Sequence, residues 1–186
     1  MPDFLNREDA LLLVVDVQER LVPAIHQELY PVASKNMKIM IEAAGTLGLP
    51  ILLTEQYPKG LGRTVPELLA ALEGKEYRLV EKITFSCGRD AGFLSALSSA
   101  NRRQVVIVGM ETHVCVYQTS VDLIRAGYSL FVLDDAVSSR FLHNYRSGIA
   151  ALRDAGATVY STETAVFQLL KMAATPEFKK VSALIR

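Results

Sequence analysis

An α/β fold is indicated most clearly by residues 105–116, which read VVIVGMETHVCV. A short run of β-branched apolar residues stops at Gly109, and a segment with helical periodicity begins at Cys115 and continues to Ala126. A buried strand, a tight turn and a helix in this order are typical of α/β proteins, which bind ligands beyond the carboxyl ends of their parallel strands. We therefore expect Cys115 to lie at that edge of a sheet.

The position of Cys115 alone permits two interpretations. A thiol at the start of a helix lies near the positive end of the helix dipole and near unpaired backbone N–H groups, and both favour the thiolate that acts as a nucleophile. Free cysteines are also among the residues most often buried in cores, so a structural role is the alternative.

The composition limits the class of protein. The chain has 186 residues, of which 50% are hydrophobic, and we expect a single domain over residues 1–186. Its 20 Lys and Arg residues balance 20 Asp and Glu residues without a basic cluster, so we expect no nucleic-acid partner. Charged residues or glycines interrupt every apolar run before the ~20 residues of a membrane-spanning helix, so we expect no membrane partner.

The cellular location is predicted from two further features. The first ten residues, MPDFLNREDA, lack the basic and apolar regions of a secretory signal. Two cysteines, Cys87 and Cys115, do not make a disulfide framework for a chain of this length. We therefore expect a cytoplasmic protein.

Six apolar segments alternate with segments of helical periodicity. Strands are predicted at residues 10–15, 50–54, 77–80, 104–108, 128–133 and 158–160. Helices are predicted at 32–47, after 64, at 90–100, 115–126, 145–155 and from 161 to about 172, with a Pro- and Gly-rich loop at 55–64 and a short packed tail from 174. This order predicts a three-layer α/β/α sandwich around a mostly parallel six-stranded sheet with Rossmann-like topology.

Two other predicted strands end in charged residues at the same edge as Cys115. Asp16 follows the first strand within apolar sequence, where a carboxylate suits proton transfer, although Asp also serves as a helix N-cap. Lys82 follows the third strand and would stay charged by pairing with Asp16, although most lysines are simply solvated. An acid, a cation and a thiol form the set that thiol catalysis requires, with the cation and the helix dipole lowering the pKa of Cys115.

Further candidates lie near these strand ends. Gln56 and Tyr57 follow the second strand and are candidates for the substrate pocket, although their Pro- and Gly-rich segment also suits a loop that only turns. Phe85 is a candidate for a wall of the same pocket, with core packing as the alternative. Cys87 is a rival nucleophile on position, but it follows a weaker strand.

The chain resembles the isochorismatase-like cysteine hydrolases over nearly its whole length. The resemblance rests on LLVVDVQ (12–18), EKITFS (81–86), GMETHVCV (109–116), DDAVSSR (134–140), GA (156–157) and STET (161–164). The segment TEQYPKGLG (54–62) is similar to the branch of isochorismatase domain-containing proteins whose substrate is unassigned.

This resemblance implies a catalytic triad of Asp16, Lys82 and Cys115. It also implies a cis peptide between Met110 and Glu111, with the backbone N–H groups of Glu111 and Cys115 forming an oxyanion hole. Cys115 would attack a small amide or related C–N bond, Asp16 would act as general acid and base, and Lys82 would act electrostatically. The family commonly forms dimers or larger assemblies, so a homo-oligomer is expected.

Departures from known relatives narrow this expectation. Members that hydrolyse nicotinamide carry an Asp-x-His metal site after the second strand, whereas residues 55–58 read EQYP. His26, His113 and His143 are not at ligand-like spacing, so we expect no zinc, and we predict no other cofactor. Isochorismatase itself lacks the nucleophilic cysteine, so Cys115 favours C–N hydrolysis through a thioester.

Two alternatives stay open at this point. A binding or scaffold protein could retain the triad without turnover, and Cys115 would then react no faster than Cys87. A ribonuclease, which is the label of some relatives, would bind RNA in a salt-dependent way that the balanced charge does not predict. The sequence does not identify the small-molecule substrate.

Overall fold

Six parallel strands form one sheet in the computed structural model, which describes residues 4–185. The strands are β1 (Ala10–Val15), β2 (Ile51–Gln56), β3 (Arg78–Lys82), β4 (Gln104–Met110), β5 (Ser129–Ser138) and β6 (Thr158–Tyr160). Their order is β3-β2-β1-β4-β5-β6, which is the doubly wound order predicted from the sequence. The order reverses between β1 and β4, and ligands of such sheets bind in the crevice at that point.

Helices cover both faces of the sheet, which confirms the predicted three-layer sandwich. They are α1 (Leu29–Leu47), α2 (Pro58–Leu61), α3 (Pro66–Leu72), α4 (Ala91–Ala100), α5 (Tyr117–Arg125), α6 (Leu142–Asp154), α7 (Thr162–Leu170) and α8 (Pro176–Ser182). Helices α1, α3, α7 and α8 share one hydrophobic core, and α4, α5 and α6 share the other. Within residues 4–185, none of the helices has the length and apolar character needed to cross a bilayer.

Strand β1 explains the continuous apolar runs of the sequence. All six of its residues are buried, because Leu12 and Val14 enter one core while Leu13 and Val15 enter the other. At its carboxyl end β1 lies so close to β4 that a Cβ on Gly109 would come 2.2 Å from the carbonyl oxygen of Val15. Gly109 also has a φ of 117°, so only glycine fits this position.

Most element boundaries differ from the sequence prediction by a few residues, and three of the differences lie near the strand ends that carry the candidate residues. The segment predicted as a loop at 55–64 continues β2 to Gln56 and contains the single helical turn of α2. Strand β5 runs to Ser138 because a register shift restores its pairing with β4 beyond Ile107. The helix predicted from Cys115 begins as a π-helical turn at Thr112–Val116, and α5 starts only after it.

Candidate active site

Asp16 and Lys82 form a buried ion pair at the carboxyl edge of the sheet. The Nζ atom of Lys82 lies 2.6 Å from Oδ2 of Asp16, and both side chains are fully buried. The pairing expected from the sequence is therefore present. Burial opposes the charge of Lys82, but the charge of Asp16 and its hydrogen bond to Lys82 outweigh it, together with the two nearby cysteines when these are ionised, so the pKa of Lys82 is raised and it stays a cation.

The backbone of Asp16 directs its carboxylate to this pair. Side chains alternate between the faces of a strand, so continued β geometry would place Asp16 opposite Val15. Asp16 instead has a φ of 52°, in the left-handed region that few residues other than glycine adopt. Its Oδ1 accepts a 2.7 Å hydrogen bond from Thr54, which pairs with Val15 in the sheet register. Both carboxylate oxygens are thus engaged, one by Thr54 and one by Lys82.

Neutral oxygens complete the surroundings of the Lys82 ammonium. It donates to Oε1 of Gln56 at 2.8 Å and to the carbonyl oxygens of Thr84 and Phe85 at 3.2 and 3.3 Å. The amide nitrogen of Gln56 donates in turn to the carbonyl oxygen of Ile83 at 2.6 Å. Gln56 is therefore buried against Lys82, and its predicted place in a substrate pocket stays a prediction.

Two buried side chains anchor the segment that follows β2. Gln18 accepts from the backbone N–H of Gln56 at 2.7 Å and donates to the carbonyl oxygens of Gln56 and Gly62 at 3.0 and 2.7 Å. The carboxylate of Glu55 accepts from the backbone N–H and the hydroxyl of Thr64 at 2.7 and 2.9 Å. This segment is therefore tied to the ends of β1 and β2 before it passes into α3.

Cys115 lies in the π-helical turn between β4 and α5. The peptide between Met110 and Glu111 is cis, as the resemblance implied. The backbone N–H groups of Val114 and Val116, the residues on either side of Cys115, both donate to the carbonyl oxygen of Glu111, at 3.0 and 3.2 Å. The side chain of Cys115 enters the core formed with α4, α5 and α6, and the residue keeps 7% of its surface exposed.

The Cys115 thiol is held in its protonated form. Burial makes the largest contribution, and the charge of the Asp16 carboxylate adds to it, so the pKa of Cys115 is raised although Lys82 acts to lower it. Lys82 therefore contributes the lowering expected from the sequence, but the net pKa of Cys115 is raised because burial and Asp16 outweigh it. Asp16 is therefore the candidate acceptor for the proton of this thiol.

Cys87 lies close to the same groups but is closed off. It is fully buried in a 3₁₀ turn after β3, and its backbone N–H donates to the hydroxyl of Thr119 at 2.9 Å. Burial raises the pKa of Cys87 to about 12. Its surroundings favour a structural role for this second thiol.

Polar contacts join the Cys115 turn to the end of β5. The carboxylate of Glu111 accepts from the backbone N–H of Arg140 at 2.8 Å and from its Nε at 3.1 Å. The Nδ1 atom of His113 lies 3.1 Å from the hydroxyl oxygen of Ser139, and desolvation lowers the pKa of His113. A Cβ on Gly148 of α6 would come 3.0 Å from the backbone nitrogen of His113, so α6 packs directly on this turn.

Exposed apolar side chains lie at the same edge. Tyr57 and Phe85 are 53% and 56% exposed, so the predicted wall residue Phe85 is not packed in the core, and its role in a pocket stays a prediction. A cavity of about 440 Å³ lies beside Tyr57, Ile83 and Lys82. Among residues 4–185, no group of three or more His, Cys, Asp and Glu side chains is placed to hold a metal ion.

Sequence reasoning did not identify Thr54 and Gln18, which hold Asp16 and Gln56. Both are fully buried polar residues within or directly after apolar strands. That signal was visible in the sequence, since a polar residue inside a buried run needs a partner.

Comparisons with known proteins agree with this architecture. The family model for the isochorismatase domain matches residues 10–164. Isochorismatase domain-containing protein 2 of Danio rerio is 35% identical over 181 residues, which cover 97% of this chain and 89% of that protein. The structure of the MAR1 ribonuclease of Caenorhabditis elegans aligns with a TM-score of 0.91 and 34% identity, over 98% of this chain and 92% of that one. The YcaC protein of Escherichia coli, described as an octameric hydrolase of unknown specificity, shares the fold with a TM-score of 0.89 and 23% identity, over 99% and 92% of the two chains.

Proposed function

Because the chain belongs to the isochorismatase family, we propose that it is a metal-independent cysteine hydrolase that cleaves a small amide or related C–N bond through a thioester. The observation that carries the proposal is the buried Asp16–Lys82 pair, whose carboxylate acts on the thiol of Cys115. An acceptor base beside a nucleophile, itself fixed by a third group, is the general arrangement of covalent catalysis.

In the first half-reaction, the sulfur of Cys115 attacks the carbonyl carbon while its proton passes to Asp16. The resulting oxyanion accepts hydrogen bonds from the backbone N–H groups of Glu111 and Cys115, each worth roughly 3–4 kcal/mol at comparable sites. The C–N bond then breaks, and Asp16 gives the proton to the departing amine. Lys82 stays cationic throughout and compensates the charge of Asp16 whenever that carboxylate is ionised.

In the second half-reaction, water hydrolyses the thioester. Asp16 takes a proton from the water as its oxygen attacks the acyl carbon, and the C–S bond breaks to release a carboxylic acid. The proton held by Asp16 returns to the sulfur of Cys115, which restores the starting state. Every proton in the cycle therefore passes through one carboxylate.

A substrate screen tests the proposal. Small amides, hydroxamates and carbamoyl compounds are offered to the wild type and to Cys115→Ala, and hydrolysis is followed together with the intact mass of the protein. We expect turnover and an acyl adduct only where Cys115 is present. Wild-type turnover of an identified substrate by Cys115→Ala would overturn the proposal.

A ribonuclease is the second candidate, because the similar C. elegans protein is described as one. The 20 basic and 20 acidic residues, together with the 7% exposure of Cys115, favour a small substrate over a polyanion. RNA binding that weakens steeply with salt, with cleavage lost in Asp16→Asn, would support the ribonuclease instead.

Equal alkylation rates for Cys115 and Cys87 would support a scaffold without turnover.

We further propose that residues 1–186 form one hydrolase domain that assembles into a cytoplasmic homo-oligomer without nucleic-acid or membrane partners. The octameric assembly of the similar E. coli protein supports this expectation. Light scattering coupled to gel filtration measures the mass of the assembly, and a monomer of 20.5 kDa at micromolar concentration would contradict it.

A further inference from the structure

We propose that Gln56 is a positioning residue that holds the Lys82 ammonium against Asp16 and keeps it from donating to the sulfur of Cys115. The inference rests on the proposed function, since it gives Gln56 a part in the same site. Gln56 acts through Lys82, so it is not itself a catalytic residue. Sequence position left a pocket residue and a loop that only turns as equal alternatives here, and the contacts of the side chain add the positioning role.

All hydrogen-bond donors of Lys82 are occupied by oxygen atoms. An ammonium group has three N–H donors and no acceptor. One is directed to Asp16 at 2.6 Å and one to Gln56 at 2.8 Å. The third is shared by the carbonyl oxygens of Thr84 and Phe85 at 3.2 and 3.3 Å. These four oxygens occupy all three donors, so none is left for a thiol.

The side-chain amide of Gln56 has a fixed orientation. Its nitrogen donates to the carbonyl oxygen of Ile83 at 2.6 Å, and a reversed amide would place two acceptors against each other there. Its oxygen must therefore face Lys82. Gln18 holds the backbone of the same residue through both its N–H and its carbonyl group, at 2.7 and 3.0 Å. Neither the backbone nor the side chain of Gln56 is free to turn away.

The neutral charge of Gln56 matters for the Lys82–Asp16 pair. Gln56 is neutral, so Asp16 is the single carboxylate that hydrogen-bonds Lys82 among residues 4–185. A glutamate at position 56 would divide the cation between two carboxylates, and the thiol of Cys115 would become harder to ionise. A leucine would leave one N–H of Lys82 without a partner, and that N–H could then stabilise a thiolate. The two substitutions should therefore change thiol reactivity in opposite directions.

Alkylation of Cys115 by iodoacetamide measures this directly and requires no identified substrate. All proteins carry Cys87→Ser, so that Cys115 is the only thiol in the full-length chain. At pH 8.5, below the raised pKa of Cys115, the second-order rate follows the thiolate fraction. We expect Gln56→Glu to react about tenfold more slowly and Gln56→Leu about threefold faster than the parent, since one pKa unit is a factor of ten.

Gln104 supplies a matched control. It is a buried glutamine whose oxygen accepts from the backbone N–H of Asn6 at 2.7 Å and whose nitrogen donates to the carbonyl oxygen of Phe4 at 3.0 Å. These contacts lie at the amino end of β4, away from Cys115. We expect Gln104→Glu to lower the thermal midpoint while leaving the alkylation rate within about twofold of the parent, because its charge is remote from the thiol.

Opposite shifts for Gln56→Glu and Gln56→Leu support the positioning role. Shifts of the same sign, or shifts no larger than that of Gln104→Glu, overturn it, because general loosening of the site would expose Cys115 in both variants. If Gln56→Leu does not fold, the rate of Gln56→Glu relative to Gln104→Glu decides. Failure of the proposed function would be seen separately, as substrate hydrolysis that survives Cys115→Ala.

Discussion

The two cysteines of this protein lie near the same ion pair, yet we propose a catalytic role for only one of them. Burial is the largest influence on both thiols, and it raises the pKa of Cys87 to about 12 and that of Cys115 as well. The charge of Asp16 acts on both thiols, but Cys115 keeps 7% of its surface exposed, whereas Cys87 is fully buried beside the hydroxyl of Thr119. A low thiol pKa is therefore not what distinguishes the proposed nucleophile. Its residual exposure and its position in the turn between β4 and α5 distinguish it.

The largest expected effect separates the two thiols directly. Cys115→Ala should reduce hydrolysis of an identified substrate by at least about a thousandfold, because no covalent intermediate can form. Cys87→Ser should retain the wild-type rate within a few fold, since its thiol makes no part of the proposed path. Steady-state rates for both variants, with thermal melting to verify folding, test the contrast. Comparable losses in the two variants would remove the distinction.

Removal of the Asp16 carboxylate should raise the alkylation rate of Cys115 while lowering the rate of substrate hydrolysis. The charge of Asp16 raises the pKa of Cys115, so wild-type alkylation should climb as pH rises through the ordinary thiol value of 9.0 and beyond. In Asp16→Asn this climb should move to lower pH, with alkylation at pH 8 roughly tenfold faster because Lys82 then stabilises the thiolate alone.

The same Asp16→Asn variant should hydrolyse substrate at least about a hundredfold more slowly, since its amide cannot relay protons. The measurement pairs an alkylation pH profile with a turnover rate on one preparation. Slower alkylation at every pH would show that Asp16 does not suppress the thiolate.

A smaller effect is expected from substitution of the glycines that lie in or against the turns of the two cysteines. A Cβ on Gly148 would press on the backbone of His113 and Thr112 at 3.0 to 3.1 Å, whereas a Cβ on Gly88 would meet the side chain of Asp122 at 2.9 Å. Gly148→Ala should therefore shift the Cys115 turn and lower hydrolysis about fivefold, since small displacements of a nucleophile are costly.

The matched change at the Cys87 turn is Gly88→Ala. This variant should lower the thermal midpoint but spare the alkylation rate of Cys115, since the side chain it displaces does not support the Cys115 turn. Alkylation rates and melting curves for both glycine variants provide the measurement. Equal loss of Cys115 reactivity in the two variants would contradict the expectation that Gly148, and not Gly88, supports the Cys115 turn.

The smallest effect concerns pH and stability. Desolvation lowers the pKa of His113 in the folded state, so the unfolded chain binds more protons as pH falls below about 6.5. Stability should therefore decrease from pH 7 to pH 5, and His113→Gln should remove about 1 °C of that decrease in the thermal midpoint. Melting at the two pH values measures it. A midpoint difference between wild type and variant that does not change with pH would refute the assignment.

Much of the fold was predictable because the apolar runs of a doubly wound sheet are buried on both faces. The residues of β1 and β6 were predicted without error, and the strand ends led to Asp16, Lys82 and Cys115. Boundaries failed where tertiary contacts extend an element, as in β5, which regains its pairing with β4 after a register shift. Local propensity carries no signal for such long-range pairing.

The electrostatics of the site were less predictable than its members. The sequence placed a cation and a helix start near Cys115, and both indicated a low thiol pKa. The direction of the pKa shift depends on burial and on the charge of Asp16, whose backbone is left-handed. Neither the depth of burial nor that backbone conformation can be derived from the spacing of residues along the chain.

The close approach of Gly109 to Val15 has a consequence for how inactivation should proceed. The ion pair is built entirely from the β1–β2–β3 half of the sheet, and the thiol belongs to the half that begins with β4. The two halves meet along the seam between β1 and β4, where the backbones of Gly109 and Val15 touch. Any event that opens this seam separates Asp16, the proposed base, from Cys115, the proposed nucleophile. Loss of activity would therefore act as a local reporter of seam opening and should precede the loss of helical signal during gradual denaturation.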